Sequence, residues 1–251
     1  MIKRLLFYVK RYSKYIYYPF WIIYKIKNIQ LLQKEVKRSD SGKKSEFAEN
    51  KEEIIRKVLF QKNSKSFLEI GIGQFPNLER IKLIAKNKIK YTGLDFKSVC
   101  ENHKQELELK GLKSPNIRYL SNEVGTYSWT LFKILKKKQK FDLIYLDGHH
   151  TFYIDLPAFI LAHFLLKPSG YLLIDDVNWT LEFLRKNLSK NYLDWYFYHK
   201  MYNFSEYDEN QQKIPHMKMI IKNLLIPKLK YSEIKKFRTV DFMVFKKKDY
   251  L

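Results

Sequence analysis

Short apolar runs alternate with longer amphipathic stretches from Ser66 to Ile174, and this alternation leaves the chain few folds to adopt. Ser66–Ile70 (SFLEI), Lys90–Leu94 (KYTGL), Asn116–Leu120, Phe141–Leu146 (FDLIYL) and Tyr171–Ile174 read as short buried strands. Between them, Asn77–Lys86, Lys97–Leu109, Tyr127–Lys138 and Tyr153–Leu166 carry helical spacing, and Lys167-Pro168-Ser169-Gly170 closes the last of these. Glu46–Phe60 and Thr180–Ser189 read as flanking helices, and Tyr192–His199 and Thr239–Lys246 as two further strands. Strands joined by helices must run parallel, because only a crossover returns the chain to the same sheet edge. The expectation is an α/β domain: a seven-stranded, mostly parallel sheet with helices on both faces and an antiparallel last strand. In open sheets of this kind ligands bind beyond the C-terminal ends of the strands.

The strand ends carry the chemistry. Strand one runs into Glu69-Ile70-Gly71-Ile72-Gly73, where glycines let the backbone approach a ligand ahead of a helix start. Asp95 ends strand two, 24 residues beyond Gly71, a placing that suits a ribose hydroxyl pair or a helix N-cap. Strand four ends in Asp147-Gly148-His149-His150 and strand five in Asp175-Asp176. Carboxylates at the ends of buried strands are costly unless solvated, paired or bound to metal. Asp147, Asp175 and Asp176, with no Arg or Lys beside them in sequence, point to a hard divalent cation such as Mg²⁺. His149 and His150 are candidate proton acceptors.

In order and spacing, FLEIGIG, YTGLDF, FDLIYLDGHH and LLKPSGYLLIDDV resemble the class I S-adenosylmethionine-dependent methyltransferases. D-G-x-H after strand four and D-D after strand five are similar to the metal-dependent small-molecule enzymes that methylate sugar hydroxyls. The resemblance implies a Rossmann-like sheet, S-adenosylmethionine as cofactor and O-methylation of a sugar or of a glycolipid or polysaccharide precursor. It implies that Glu69, Gly71 and Gly73 line the methionine and ribose part of the cofactor and that Asp95 binds the ribose. Asp147, Asp175 and Asp176 match the family's metal ligands, and His149 stands where its sugar enzymes have a base, with His150 next. One departure is plain: Gln74-Phe75 replaces the usual third small residue of the glycine loop.

The net charge of +22 suggests nucleic acid until it is divided along the chain. Residues 1–44 hold 12 basic and 2 acidic side chains, residues 45–212 hold 25 and 21, and residues 213–251 hold 11 and 3. Residues 45–251 therefore read as a nearly balanced catalytic domain, with an insertion at about 200–237, behind a basic amphipathic arm at 1–44. Residues 1–33 and 216–230 pair apolar stripes with lysines, which suits an anionic membrane surface, packing on the domain, or a second subunit. The apolar run Tyr15–Tyr24 is too short to span a bilayer. Cys100, the single cysteine, excludes internal disulfides, and the expected place is the cytoplasm, at the inner face of the membrane. Two other readings compete: an RNA or DNA methyltransferase, and a non-catalytic scaffold with a degenerate cofactor fold. No Asp/Asn-Pro-Pro-aromatic motif supports the former, and the intact acidic ends argue against the latter.

Overall fold

The computed structural model describes residues 51–61, 63–73, 75–122, 126–188 and 204–248. The basic arm at 1–44 and the strand expected at Tyr192–His199 lie outside them. In chain order the regular elements are α1 (Lys51–Gln61), β1 (Ser66–Ile70), α2 (Leu78–Lys86), β2 (Lys90–Phe96), α3 (Lys97–Leu109), β3 (Ile117–Asn122), α4 (Tyr127–Lys136) and β4 (Phe141–Leu146). They continue as α5 (Phe152–Leu165), β5 (Leu166–Ile174), α6 (Leu181–Leu188), α7 (Glu209–Gln212), α8 (His216–Ile220), β6 (Tyr231–Glu233) and β7 (Met243–Lys247). The seven strands form one sheet in the order β3-β2-β1-β4-β5-β7-β6. β1 to β5 are parallel, and β7 runs antiparallel to both β5 and β6. The fold class expected from the alternation is the one found.

Two strand assignments need correction. β6 is Tyr231–Glu233, inside the segment expected to be pure insertion. Lys167-Pro168-Ser169-Gly170 is the irregular start of β5 rather than a closing turn: Leu166 pairs with Phe141, and regular pairing resumes at Tyr171 with Leu143. A bulge takes up the extra residues, so the register shifts between these two pairs.

Side-chain alternation divides the interior in two. Leu68, Ile70, Leu94, Ile144, Leu146, Leu172 and Ile174 face α4, α5 and α8 in an apolar core. Phe67, Tyr91, Tyr119, Leu143, Tyr145 and Leu173 face α1, α2 and α3. The stripe Met217 and Ile220 of α8, continued by Ile221, is buried in the first core, so these three side chains pack on the domain. The insertion also fastens the start of α5. Phe152 N donates to His216 Nδ1 at 3.1 Å, and Tyr153 N donates to Tyr207 Oη at 3.1 Å. These are N–H groups that a helix start cannot satisfy internally. No helix among the described residues is long and apolar enough to cross a membrane.

Candidate active site

The loops after β1 and β4 touch. Gly71 has φ +81°, and a Cβ there would lie 1.7 Å from the Asp147 carbonyl oxygen. Only glycine fits, on both conformational and steric grounds. Asp95 braces the same loop through Oδ2, which accepts from Ile72 N at 2.9 Å, while Oδ1 accepts from its own neighbour Phe96 N at 2.7 Å. Burial raises its pKa. His103 of α3, which the sequence did not single out, places Nε2 2.9 Å from the Gly73 carbonyl oxygen.

Glu69 is buried on the α1–α3 side of the sheet. It accepts a hydrogen bond from Tyr91 Oη at 2.6 Å and pairs with Arg80. Arg80 also pairs with Glu52 of α1, and its guanidinium stands 5.4 Å from the centroid of the Tyr145 ring. Beside this network a cleft of about 160 Å³ is lined by Lys51, Glu69, Ile72, Gly73, Arg80, His103, Tyr145 and Asp147, among others.

The acidic strand ends do not all converge. Asp147, His150 and Asp176 offer ligand atoms within 4.8 Å of one another. His150 Nε2 lies 3.5 Å from Asp176 Oδ2 and 3.8 Å from Asp147 Oδ1. Asp175, expected to be a third carboxylate ligand, stands outside this group. It accepts from Tyr145 Oη at 2.5 Å and pairs with Lys51 of α1. Tyr145 Oη also lies 3.0 Å from Asp147 Oδ2, so one hydroxyl bridges two carboxylates. The backbone explains the division. Asp175 continues the alternation of β5 onto the Tyr145 face, whereas Asp176 (φ +50°) and His150 (φ +61°) take left-handed turns. Such conformations cost non-glycine residues of order 1–3 kcal/mol and gather at functional sites.

The D-G-H-H loop is held from below by Asp155, which is fully buried. Its carboxylate accepts from Thr151 N at 2.8 Å and His149 N at 3.2 Å, and from Tyr127 Oη. A Cβ on Gly148 would meet Asp155 Oδ1 at 2.3 Å and Tyr127 Oη at 2.4 Å, so this clamp requires the glycine. His149 Nδ1 lies 3.0 Å from Thr151 Oγ1, and His149 is not part of the acidic group.

The electrostatics of the group favour a cation. Burial, and then the Asp175 charge, push Asp147 up to about 7 and Asp176 up to about 8. Burial lowers His150 to about 4, against the pull of Asp175, which leaves a neutral imidazole at pH 7. Two carboxyls that bind protons for want of counter-charge, beside one neutral imidazole, form an oxygen-rich donor set that fits a hard or borderline divalent ion. Lys51 supplies the nearest positive charge, and Asp175 and Asp147 hold its pKa up against burial. One signal in the sequence could have found Tyr145: it stands two residues before Asp147, hence on the same strand face. Lys51 and Arg80 leave no such mark.

No family model matches the sequence, and no curated protein does. Solved structures match over most of the chain. A candidate caffeoyl-CoA O-methyltransferase from Staphylococcus aureus gives a TM-score of 0.54 at 15% identity, covering 87% of this chain and 91% of its own. An O-methyltransferase from Bacillus cereus in complex with S-adenosylhomocysteine gives 0.51 at 16% identity, covering 88% and 89%. A candidate O-methyltransferase from Klebsiella pneumoniae gives 0.50 at 16% identity, covering 82% and 84%. The chain has the O-methyltransferase fold. In this chain the cleft lies at the C-terminal ends of β1 and β4.

Proposed function

We propose that the protein is an S-adenosylmethionine-dependent O-methyltransferase, assisted by a divalent ion, whose acceptor is a hydroxyl of a sugar or of a glycolipid or polysaccharide precursor. The observation that carries this reading is the meeting of Asp147, His150 and Asp176 beside the glycine-loop cleft of a methyltransferase fold. The acceptor class rests on the likeness of D-G-H-H and D-D to the sugar enzymes.

When bound, S-adenosylmethionine supplies an electrophilic methyl group, and a divalent ion supplies the charge that positions and acidifies a hydroxyl. Glu69 and Gly73 of the cleft, with Gly71 beside them, would line the place of the cofactor's methionine and ribose. Asp95 accepts from the backbone N–H groups of Ile72, Gly73 and Phe96, and the lone pairs left over would take ribose hydroxyls. Asp147, His150 and Asp176 would hold the ion, and Asp175, tied to Tyr145 and Lys51, braces Asp147 from behind. With His150 among the ligands, the proton acceptor is His149. Thr151 Oγ1, 3.0 Å from Nδ1, can accept from an Nδ1–H, the tautomer that leaves Nε2 basic. The residues then act chiefly by alignment and by a charged, preorganised environment.

Isothermal titration with S-adenosylhomocysteine tests the reading: one site per chain is expected, and no heat of binding would sink it. Transfer of labelled methyl from S-adenosylmethionine to nucleotide-linked and lipid-linked sugars tests the acceptor. The label is expected to be lost with Asp147→Ala and with chelator.

A further inference from the structure

α4 and α5 pack side by side on the face of the sheet away from α1, and each turns an apolar stripe to solvent. On α4, Trp129 is 63% exposed and Phe132 is 55% exposed. On α5, Ile160 is 39% and Phe164 51% exposed. The spacings of three and four residues put each pair on one side of its helix. Large rings exposed together on two neighbouring helices are uncommon in a monomer and mark a contact surface.

We propose that this α4–α5 face docks the protein on an anionic lipid bilayer. Charge selects the occupant. Lys133 and Lys136 flank the α4 rings, Lys137 and Lys138 follow, and all are exposed. From Thr126 to Lys140 there is no acidic residue, and the one acidic residue of α5, Asp155, is fully buried. A second copy of this face would set lysine against lysine. The arm at 1–44, with 12 basic against 2 acidic side chains, carries the same sign. Anionic headgroups answer the lysines, and the boundary below them takes the rings. Lys133 Nζ stands 5.8 Å from the Trp129 ring centroid, an ammonium resting over an indole as interfacial side chains do. Nucleic acid would also answer the charge, but bases stack on aromatic rings and have no use for an aliphatic element such as Ile160. The proposal does not depend on the methyltransferase reading.

Sedimentation of the full chain with phosphatidylglycerol vesicles, against phosphatidylcholine vesicles, is the test. The wild type is expected to pellet with the former only. Trp129→Ser/Phe132→Ser is expected to abolish pelleting. Lys133→Gln/Lys136→Gln, changes at exposed positions that leave folding intact, is expected to weaken it about thirtyfold, roughly fivefold per lysine. Unchanged pelleting in the lysine variant would assign membrane binding to another part of the chain and overturn the proposal. So would a dimer in sedimentation velocity that Trp129→Ser dissociates, or binding of an oligonucleotide in preference to vesicles.

Discussion

The two faces of the sheet solve burial in opposite ways. Toward α4, α5 and α8 the sheet's own side chains are apolar: Leu68, Ile144 and Leu172 are fully buried and pack with Phe159 of α5. Toward α1, α2 and α3, the sheet side chains nearest the cleft are Glu69, Tyr91 and Tyr145, with Arg80 laid among them. The first face needs only shape, because apolar packing is non-directional. The second holds charge in a buried place and is stable only while each charge keeps its partner. The dry face thus acts as foundation, and the charged one stays responsive to what enters the cleft.

That contrast can be broken by substitution. Phe159→Ala, on the dry side, is expected to cost about 4 kcal/mol in urea unfolding and to leave S-adenosylhomocysteine affinity unchanged. Arg80→Met strands Glu69 and Glu52. It is expected to cost about 3 kcal/mol, and adding Glu69→Gln is expected to restore part of the loss. If the double variant were no more stable than Arg80→Met alone, the buried pair would not be a unit. Tyr145→Phe removes the hydroxyl between Asp147 and Asp175. A loss of about 2 kcal/mol is expected, together with a changed Mn²⁺ affinity by titration, whereas the dry-face variant leaves that affinity alone.

The smallest effect is in pH. Asp147 and Asp176 titrate at about 7 and about 8 in the folded protein, above the ordinary carboxylate range. The ion-free protein therefore loses stability as pH rises through those values, because buried carboxylates then ionise unpaired. A divalent ion displaces the protons, so its affinity is expected to rise about tenfold between pH 7 and 8 and to level above about pH 9. Flat Mn²⁺ affinity across that range would remove the two carboxylates from the ion site.

Much of this was legible in the residues. Helices α1 to α6 and strands β1 to β4 follow from apolar spacing, which burial on a two-sided sheet enforces. β6 was not legible, since Tyr231-Ser232-Glu233 has neither the length nor the composition of a strand and is held by pairing to β7. Lys167-Pro168-Ser169-Gly170 misled, because turn residues also serve a bulge. At the site, every acidic strand end was found, but not how they divide. That depends on left-handed turns at His150 and Asp176 and on Lys51, which reaches Asp175 from 124 residues away in the chain. Local sequence does not encode such a meeting.

The contact between Gly71 and the Asp147 carbonyl has a thermodynamic consequence. A ligand that settles the loop after β1 also settles the loop after β4, and the ordering entropy is then spent once for both. Cofactor and ion should each tighten the other's binding by the same factor, as linkage requires. A side chain at position 71 would not merely block a cleft; it would uncouple two equilibria that the bare backbone holds together.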